Sequence, residues 1–477
     1  MDPLGTAGSI ESRFAAYVER LALALGHADR AGPFRAYCTG LILPGERKSV
    51  EPMAARVDPG RVGAAHQSLH HFVAKAAWDD AAVLAAVRDL VLPALLERGP
   101  IRAWIIDDTG MPKKGRHSVG VARQYCGQIG KQDNCQVAVS LSVATDHASL
   151  PVAFQLYLPE TWAADAERRA GIPDDVAFQT KPAIALDQIR AAMTAGLPPG
   201  VVLMDTGYGN DTALREGVSA LGLTYVAGVQ SSLTVWPPGV EPLPPKPWSG
   251  KGRPPKLLRR APGHEPVSVK ALAEGLVPEA WRSVTWRKGT NAPLTSRFAA
   301  VRVHAAHRDK ERAERRPEEW LLIEWPEGEE KPTKYWLSTL PETTTLETLV
   351  ETAKLRWRIE RDYLELKQEL GLGHYEGRGW RGFHHHATLC IAAYGFLISE
   401  KETIPPSAPR AVARLTKLEL PADYRPRGAA DPNRTSHSKL DRDPATPVDL
   451  RSRRKRAAMP LLRAQKRSAP NSKLMTQ

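Results

Sequence analysis

A chain of 477 residues, 42% hydrophobic and 25% charged, has the composition of a folded protein with room for two or three domains. Its 66 Lys and Arg against 53 Asp and Glu leave a formal charge of +13 and a pI near 9.6, which favours a polyanionic partner. Cys38, Cys126, Cys135 and Cys390 are scattered without metal or disulfide spacing. No apolar run is long enough to span a membrane and the start does not read as a signal peptide, so a cytoplasmic protein with no membrane partner is expected.

Residues 1–98 carry helical periodicity, as in IESRFAAYVERLALAL and WDDAAVLAAVRDLVLPALLERG, and read as a helical N-terminal domain. From 99 to 229 the pattern is that of a mixed α/β sheet with helical crossovers. IRAWIIDD reads as a short buried strand ending in two aspartates, Asp107 and Asp108. A Gly-rich basic stretch follows with Lys113, Lys114, Arg116, Arg123 and Lys131, and then two strand-like runs, CQVAVSLSVATD and LPVAFQLYLP. After a helix at KPAIALDQIRAAMTAGL, PGVVLMD repeats the pattern of a buried strand ending in an acid, Asp205. An acid at the carboxyl end of a buried strand is well placed for a site.

Residues 230–332 begin with a Pro-rich basic arm holding Gly252-Arg253-Pro254. It reads either as a plain linker or as an arm whose Arg253 enters an A·T-rich minor groove. SVTWRKGT, TSRFAAVRVHAA and EEWLLIEWP then read as strands of a small inserted sheet, and KYWLSTL as a return to the main one. Residues 333–403 continue with KLRWRIERDYLELKQELG, expected as one helix from Lys354 to Gly371. Arg356, Glu360, Tyr363 and Lys367 share one stripe of it; Leu355, Ile359, Asp362 and Leu366 share a neighbouring stripe that looks like the packing side. His384, His385 and His386 are consecutive, so they cannot share one helix face and do not suggest a metal site. Residues 404–477 read as a basic, disordered tail for non-specific DNA contact, or simply as a solvated terminus.

Asp108, Asp205 and Glu360 therefore stand on two strands and a late helix. Hard carboxylate oxygens on rigid elements are what a two-metal phosphoryl-transfer site requires. One strand-end Asp alone is more often a helix cap. The runs IIDDTGMPKKGRHSVGVARQYCGQIGKQDNCQ, VVLMDTGYGN and LRWRIERDYLELKQELGLGHYEGRGW resemble the three acidic motifs of bacterial insertion-sequence DDE transposases. Within these, the chain resembles the branch with a β-rich insertion between the second and third acids.

The resemblance implies an RNase H-like mixed sheet with flanking helices, a β-strand insertion and a helical N-terminal domain. It also implies a nucleoid-associated enzyme that cuts element ends and joins the 3′-OH to target DNA, working as a dimer or higher assembly. By the same resemblance, Asp108, Asp205 and Glu360 would bind two Mg²⁺ ions, with Mn²⁺ as a substitute. Asp107 competes with Asp108, and Glu365 is a weaker rival of Glu360. Arg356 and Lys367 match a Tyr, Arg, Glu and Lys signature, and would contact DNA together with Lys113, Lys114, Arg116, Arg123, Lys131 and Arg253. The Tyr position of that signature falls on Ala353, a departure; if a flipped or end nucleotide is held, Trp357 or Tyr363 would substitute by stacking on it. The alternatives are a transposase-derived DNA-binding protein that does not cut, or a metal-dependent nuclease without strand transfer.

Overall fold

The computed structural model describes residues 9–169, 171–288 and 293–403, so the basic tail read at 404–477 lies outside the described residues. Five helices come first: α1 (Ile10–Ala22), α2 (Ala31–Ile42), α3 (Val50–Val57), α4 (Val62–Ala74) and α5 (Asp80–Glu97). The side chain of Asp79 starts α5 by accepting from the backbone N–H groups of Ala81 and Ala82. These helices do not close on themselves. They pack around α13 (Trp380–Thr403), which is buried over most of its length and runs against α5, α2 and α4. A helix apolar on nearly every side has to be enclosed, so the last described helix forms the centre of the first bundle.

The sheet begins with β1 (Ala103–Pro112), β2 (Ala122–Cys126), β3 (Lys131–Ala144) and β4 (Ser149–Leu156). After α6 (Glu160–Ala163) and α7 (Lys181–Thr194) come β5 (Val201–Met204), α8 (Thr206–Gly209), α9 (Thr212–Ala220) and β6 (Tyr225–Val229). β4, β3 and β1 are antiparallel neighbours, and β1, β5 and β6 are parallel ones. The order β4-β3-β1-β5-β6 with helical crossovers is an RNase H-like arrangement.

Four local expectations change. β1 does not end at its aspartates but runs on to Pro112, because β3 pairs with it along its whole length; only its parallel partner β5 stops early, at Ile105. Asp107 and Asp108 thus stand just past the end of the parallel pairing. The basic stretch after β1 contains a strand, β2, which forms a hairpin with β3.

The inserted strands, in turn, do not make a separate sheet. β7 (Thr234–Trp236), β8 (Val267–Ser268), β9 (Arg282–Lys288), β10 (Pro293–Ala305), β11 (Glu319–Pro326) and β12 (Lys334–Ser338) continue the main sheet, because β12 pairs with both β6 and β11. A bare β6 edge would offer unpaired backbone groups, and β12 covers it. The short α10 (Val269–Glu274) follows β8.

The expected single helix at Lys354–Gly371 is two helices, α11 (Leu346–Lys354) and α12 (Trp357–Gln368). At the joint the backbone bonds tighten to three-residue spacing: Leu355 N–H to Thr352 at 3.1 Å, Arg358 N–H to Leu355 at 3.2 Å and Ile359 N–H to Arg356 at 3.2 Å. Lys354 closes α11 by pairing with the buried Glu324 of β11 at 2.6 Å, which ties the joint to the extended sheet.

Candidate active site

β1, the β5–α8 turn, the start of α7 and α12 enclose a cleft of about 800 Å³ that holds Asp107, Asp108, Asp205 and Glu360. Asp205 caps α8, its Oδ1 accepting the Tyr208 N–H at 3.2 Å. α8 lies so close to β6 that a Cβ on Gly209 would come within 2.0 Å of the Gly228 carbonyl oxygen. Glycine there lets the turn sit on the sheet and fixes where Asp205 stands. The cap role and a place in the cleft thus coexist in one residue.

The two neighbouring aspartates are held differently. Pleating puts Asp107 on the side of β1 that faces α12, opposite Ser140 of β3, and Asp108 on the side that faces α7. Both oxygens of Asp107 are engaged: Oδ1 accepts the Asp108 N–H at 2.8 Å and Oδ2 accepts Arg356 at 2.7 Å. Burial pushes its carboxyl up to about 7, with Asp205 and Asp108 adding to the rise and Arg356 opposing it. Asp108 is met at one oxygen, Oδ2, by Lys181 at 2.8 Å and by the Tyr208 hydroxyl at 3.4 Å.

On α12, Arg356 also reaches Glu360 at 2.8 Å, one turn along the helix. The Glu360 side chain is 63% exposed to the cleft. Lys367 donates to the Gly110 carbonyl at 2.8 Å, and burial lowers its pKa. Tyr363 is buried, its hydroxyl on Ser140 at 2.8 Å, so its ring belongs to the wall and offers no open face for a base. Trp357 lies outside the cleft with the Arg287 guanidinium 3.8 Å over its ring, and Ala353 is buried on the packed face of α11.

The basic stretch divides. Lys113 donates to the Tyr375 carbonyl at 2.7 Å. Lys114, Arg116 and Arg123 line a second groove of about 420 Å³, which Arg168 also borders. Lys131 is exposed, 3.5 Å from Asp133, and Arg253 is exposed on the Pro-rich arm. Glu365 pairs with Arg361 at 2.8 Å, away from the cleft.

Sequence reasoning missed Lys181, Tyr208 and Tyr125, which line the cleft with the acids. Lys181 opens α7 directly after the cap Thr180. Nothing in its linear spacing points to Asp108, because the crossover that joins them is tertiary.

Among the described residues no three His, Cys, Asp or Glu side chains converge as they would around a single ion. Arg356 and Lys181 stand between the acids instead. The donor set still suits a hard divalent cation: all are carboxylates on rigid elements, and Asp108, Asp205 and Glu360 each hold one oxygen outside the contacts above. No described helix is long and apolar enough to cross a membrane.

Residues 20–293 match the family described as DDE superfamily endonuclease. The chain is also similar to a protein of Microchaete diplosiphon named as a probable transposase for insertion sequence element IS701, at 32% identity over 167 residues. That stretch is 35% of this chain and spans 41% of the relative.

Proposed function

Starting from a chain that belongs to the DDE superfamily endonucleases, we propose that it is a DNA transposase that cuts the ends of its element and joins them to target DNA. The observation that carries this reading is the single cleft in which Asp108, Asp205 and Glu360 meet Arg356 and Lys181. It fits DNA with its scissile phosphate among the acids and its neighbouring phosphates on the cations. Asp108, Asp205 and Glu360 would hold Mg²⁺, or Mn²⁺ in its place, and the bound ions would supply charge stabilisation at phosphorus and an activated oxygen nucleophile. Water attacks in the cutting step and the freed 3′-OH in the joining step, with no covalent protein–DNA link.

The remaining side chains orient and neutralise. Asp107, with both oxygens engaged, is a positioning residue that aims Arg356 across the cleft. Arg356 in turn holds Glu360 forward. Lys181 pairs with Asp108 and would turn to a DNA phosphate if Asp108 held a metal. Lys367 braces α12 against β1 at Gly110, next to the acids. Joining two ends to one target requires both to be held together, so the working form is a dimer or higher assembly on DNA.

The test is a cleavage and joining assay with full-length protein and DNA carrying the sequences on either side of its gene, in Mg²⁺ or EDTA, with Glu360→Ala beside the wild type. Metal-dependent nicking followed by joined product, both lost in the variant, supports the proposal. Binding without cutting would make the protein a transposase-derived DNA-binding protein, and cutting without joining would make it a nuclease.

A further inference from the structure

We propose that the β2–β3 hairpin forms a nucleotide subsite beside the acids, with the Tyr125 ring as a stacking platform for an unpaired nucleobase and Arg123 as its phosphate contact. The inference rests on the DNA-cleaving reading above and deepens it. Tyr125 is 60% exposed, and of the large exposed apolar side chains among the described residues it is the one that lines the acidic cleft. Leaving that ring in water forgoes the gain of burying its apolar faces. A ring left open at the mouth of a cleft rimmed by cations has the chemistry of a base-stacking surface.

The hairpin is fixed where a subsite needs it. Its tip folds over β1 at Gly110, where a Cβ would stand 2.7 Å from the Cys126 sulfur, so the absent side chain permits the approach. Gly110 is two residues past Asp108, and its carbonyl is the group that Lys367 grips. Gly130, with φ of 65°, closes the turn in a conformation that a side chain would oppose. Packing at its own strand end therefore holds Tyr125 on the wall of the cleft that also contains Asp108.

Arg123 lies two residues earlier on the same exposed face of β2, about 6.6 Å along the strand. It opens into the second groove beside Lys114, Arg116 and Arg168. A strand leaving the acids would pass the Tyr125 ring and then meet guanidinium groups. Every base has a π-face, so such a platform accepts any sequence, while the cations track the backbone.

The experiment uses full-length protein and two duplexes, one blunt and one with a short single-stranded overhang bearing 5-iodouracil. Irradiation and peptide mapping locate the cross-link, and anisotropy gives affinity. The wild type should cross-link at Tyr125 on the overhang substrate. Tyr125→Phe should keep that adduct. Tyr125→Ala should lose it and bind the overhang duplex about tenfold to a hundredfold more weakly, with blunt-duplex binding and melting temperature unchanged. Arg123→Gln should lower the salt slope of binding by about one.

A cross-link mapped to another residue, or unaltered overhang binding by Tyr125→Ala, overturns the stacking assignment while the DNA reading stands. An unchanged slope in Arg123→Gln overturns the phosphate assignment. A wild type that binds neither duplex removes the DNA reading and this subsite together.

Discussion

Glu360 and Asp362 stand two residues apart on α12 and show how one helix separates chemistry from structure. Glu360 faces the cleft, largely exposed, with Arg356 as its protein partner. Asp362 is 1% exposed on the opposite side, its Oδ1 accepting Ser149 at 2.6 Å and Tyr394 at 2.9 Å. Those hydroxyls come from β4's start and α13, so Asp362 ties α12 to the sheet and to the bundle. An acid held at one oxygen by neutral donors from the fold is a fastener; an acid left open among cations is available to a ligand. The histidines of α13 belong with the fasteners. His384 accepts the Leu156 N–H at 3.2 Å and His386 meets the Tyr37 hydroxyl at 2.9 Å, both deep in the bundle. Burial lowers the pKa of both, to about 4 for His386.

The largest expected effect lies on the cleft side. Asp108→Ala, Asp205→Ala or Glu360→Ala should each reduce cleavage roughly a thousandfold or more, the several kcal/mol that metal charge stabilisation supplies, with melting nearly unchanged. On the packing side the pattern should reverse. Asp362→Ala strands two buried hydroxyls and should cost about 2–4 kcal/mol of stability, read by denaturant unfolding, while the surviving folded fraction still cuts. If Asp362→Ala abolished cleavage without loss of stability, the division between the two faces would be wrong.

A smaller effect depends on pH. Burial pushes the Asp362 carboxyl up to about 6, above its value in an unfolded chain, while its two hydroxyl partners oppose the rise. The folded state therefore binds the proton more tightly than the unfolded one. The associated stability is fully present below about pH 4 and is lost as pH rises through about 6. Asp362→Asn keeps an acceptor and does not ionise, so it should gain on the wild type between those values and hold a constant difference above them. A gap that shrinks with rising pH would contradict the assignment.

Much of this was legible in the sequence because it was local. The packing stripe of Ile359 and Leu366 and the cleft stripe of Arg356, Glu360 and Lys367 follow from helical spacing alone, and the buried strand before Asp205 follows from a short apolar run. The break at Leu355 was not legible, since no Gly or Pro marks it and its anchor is a pairing of Lys354 with Glu324 on a distant strand. The hairpin that brings Tyr125 to the cleft was hidden for a similar reason. Its register is set by β3, and its fold-over by a glycine on β1, neither of which shows as periodicity. Residues that meet through tertiary crossovers, such as Lys181 with Asp108, leave no trace in linear spacing.

The measurement closest to the central claim is Mn²⁺ binding to the full-length protein, followed by electron paramagnetic resonance, for wild type, Asp205→Ala and Asp362→Asn. The account predicts that Asp205→Ala loses the bound-ion signal while Asp362→Asn keeps it, both proteins remaining folded. Equal binding by all three would place the metal away from the cleft and contradict the account.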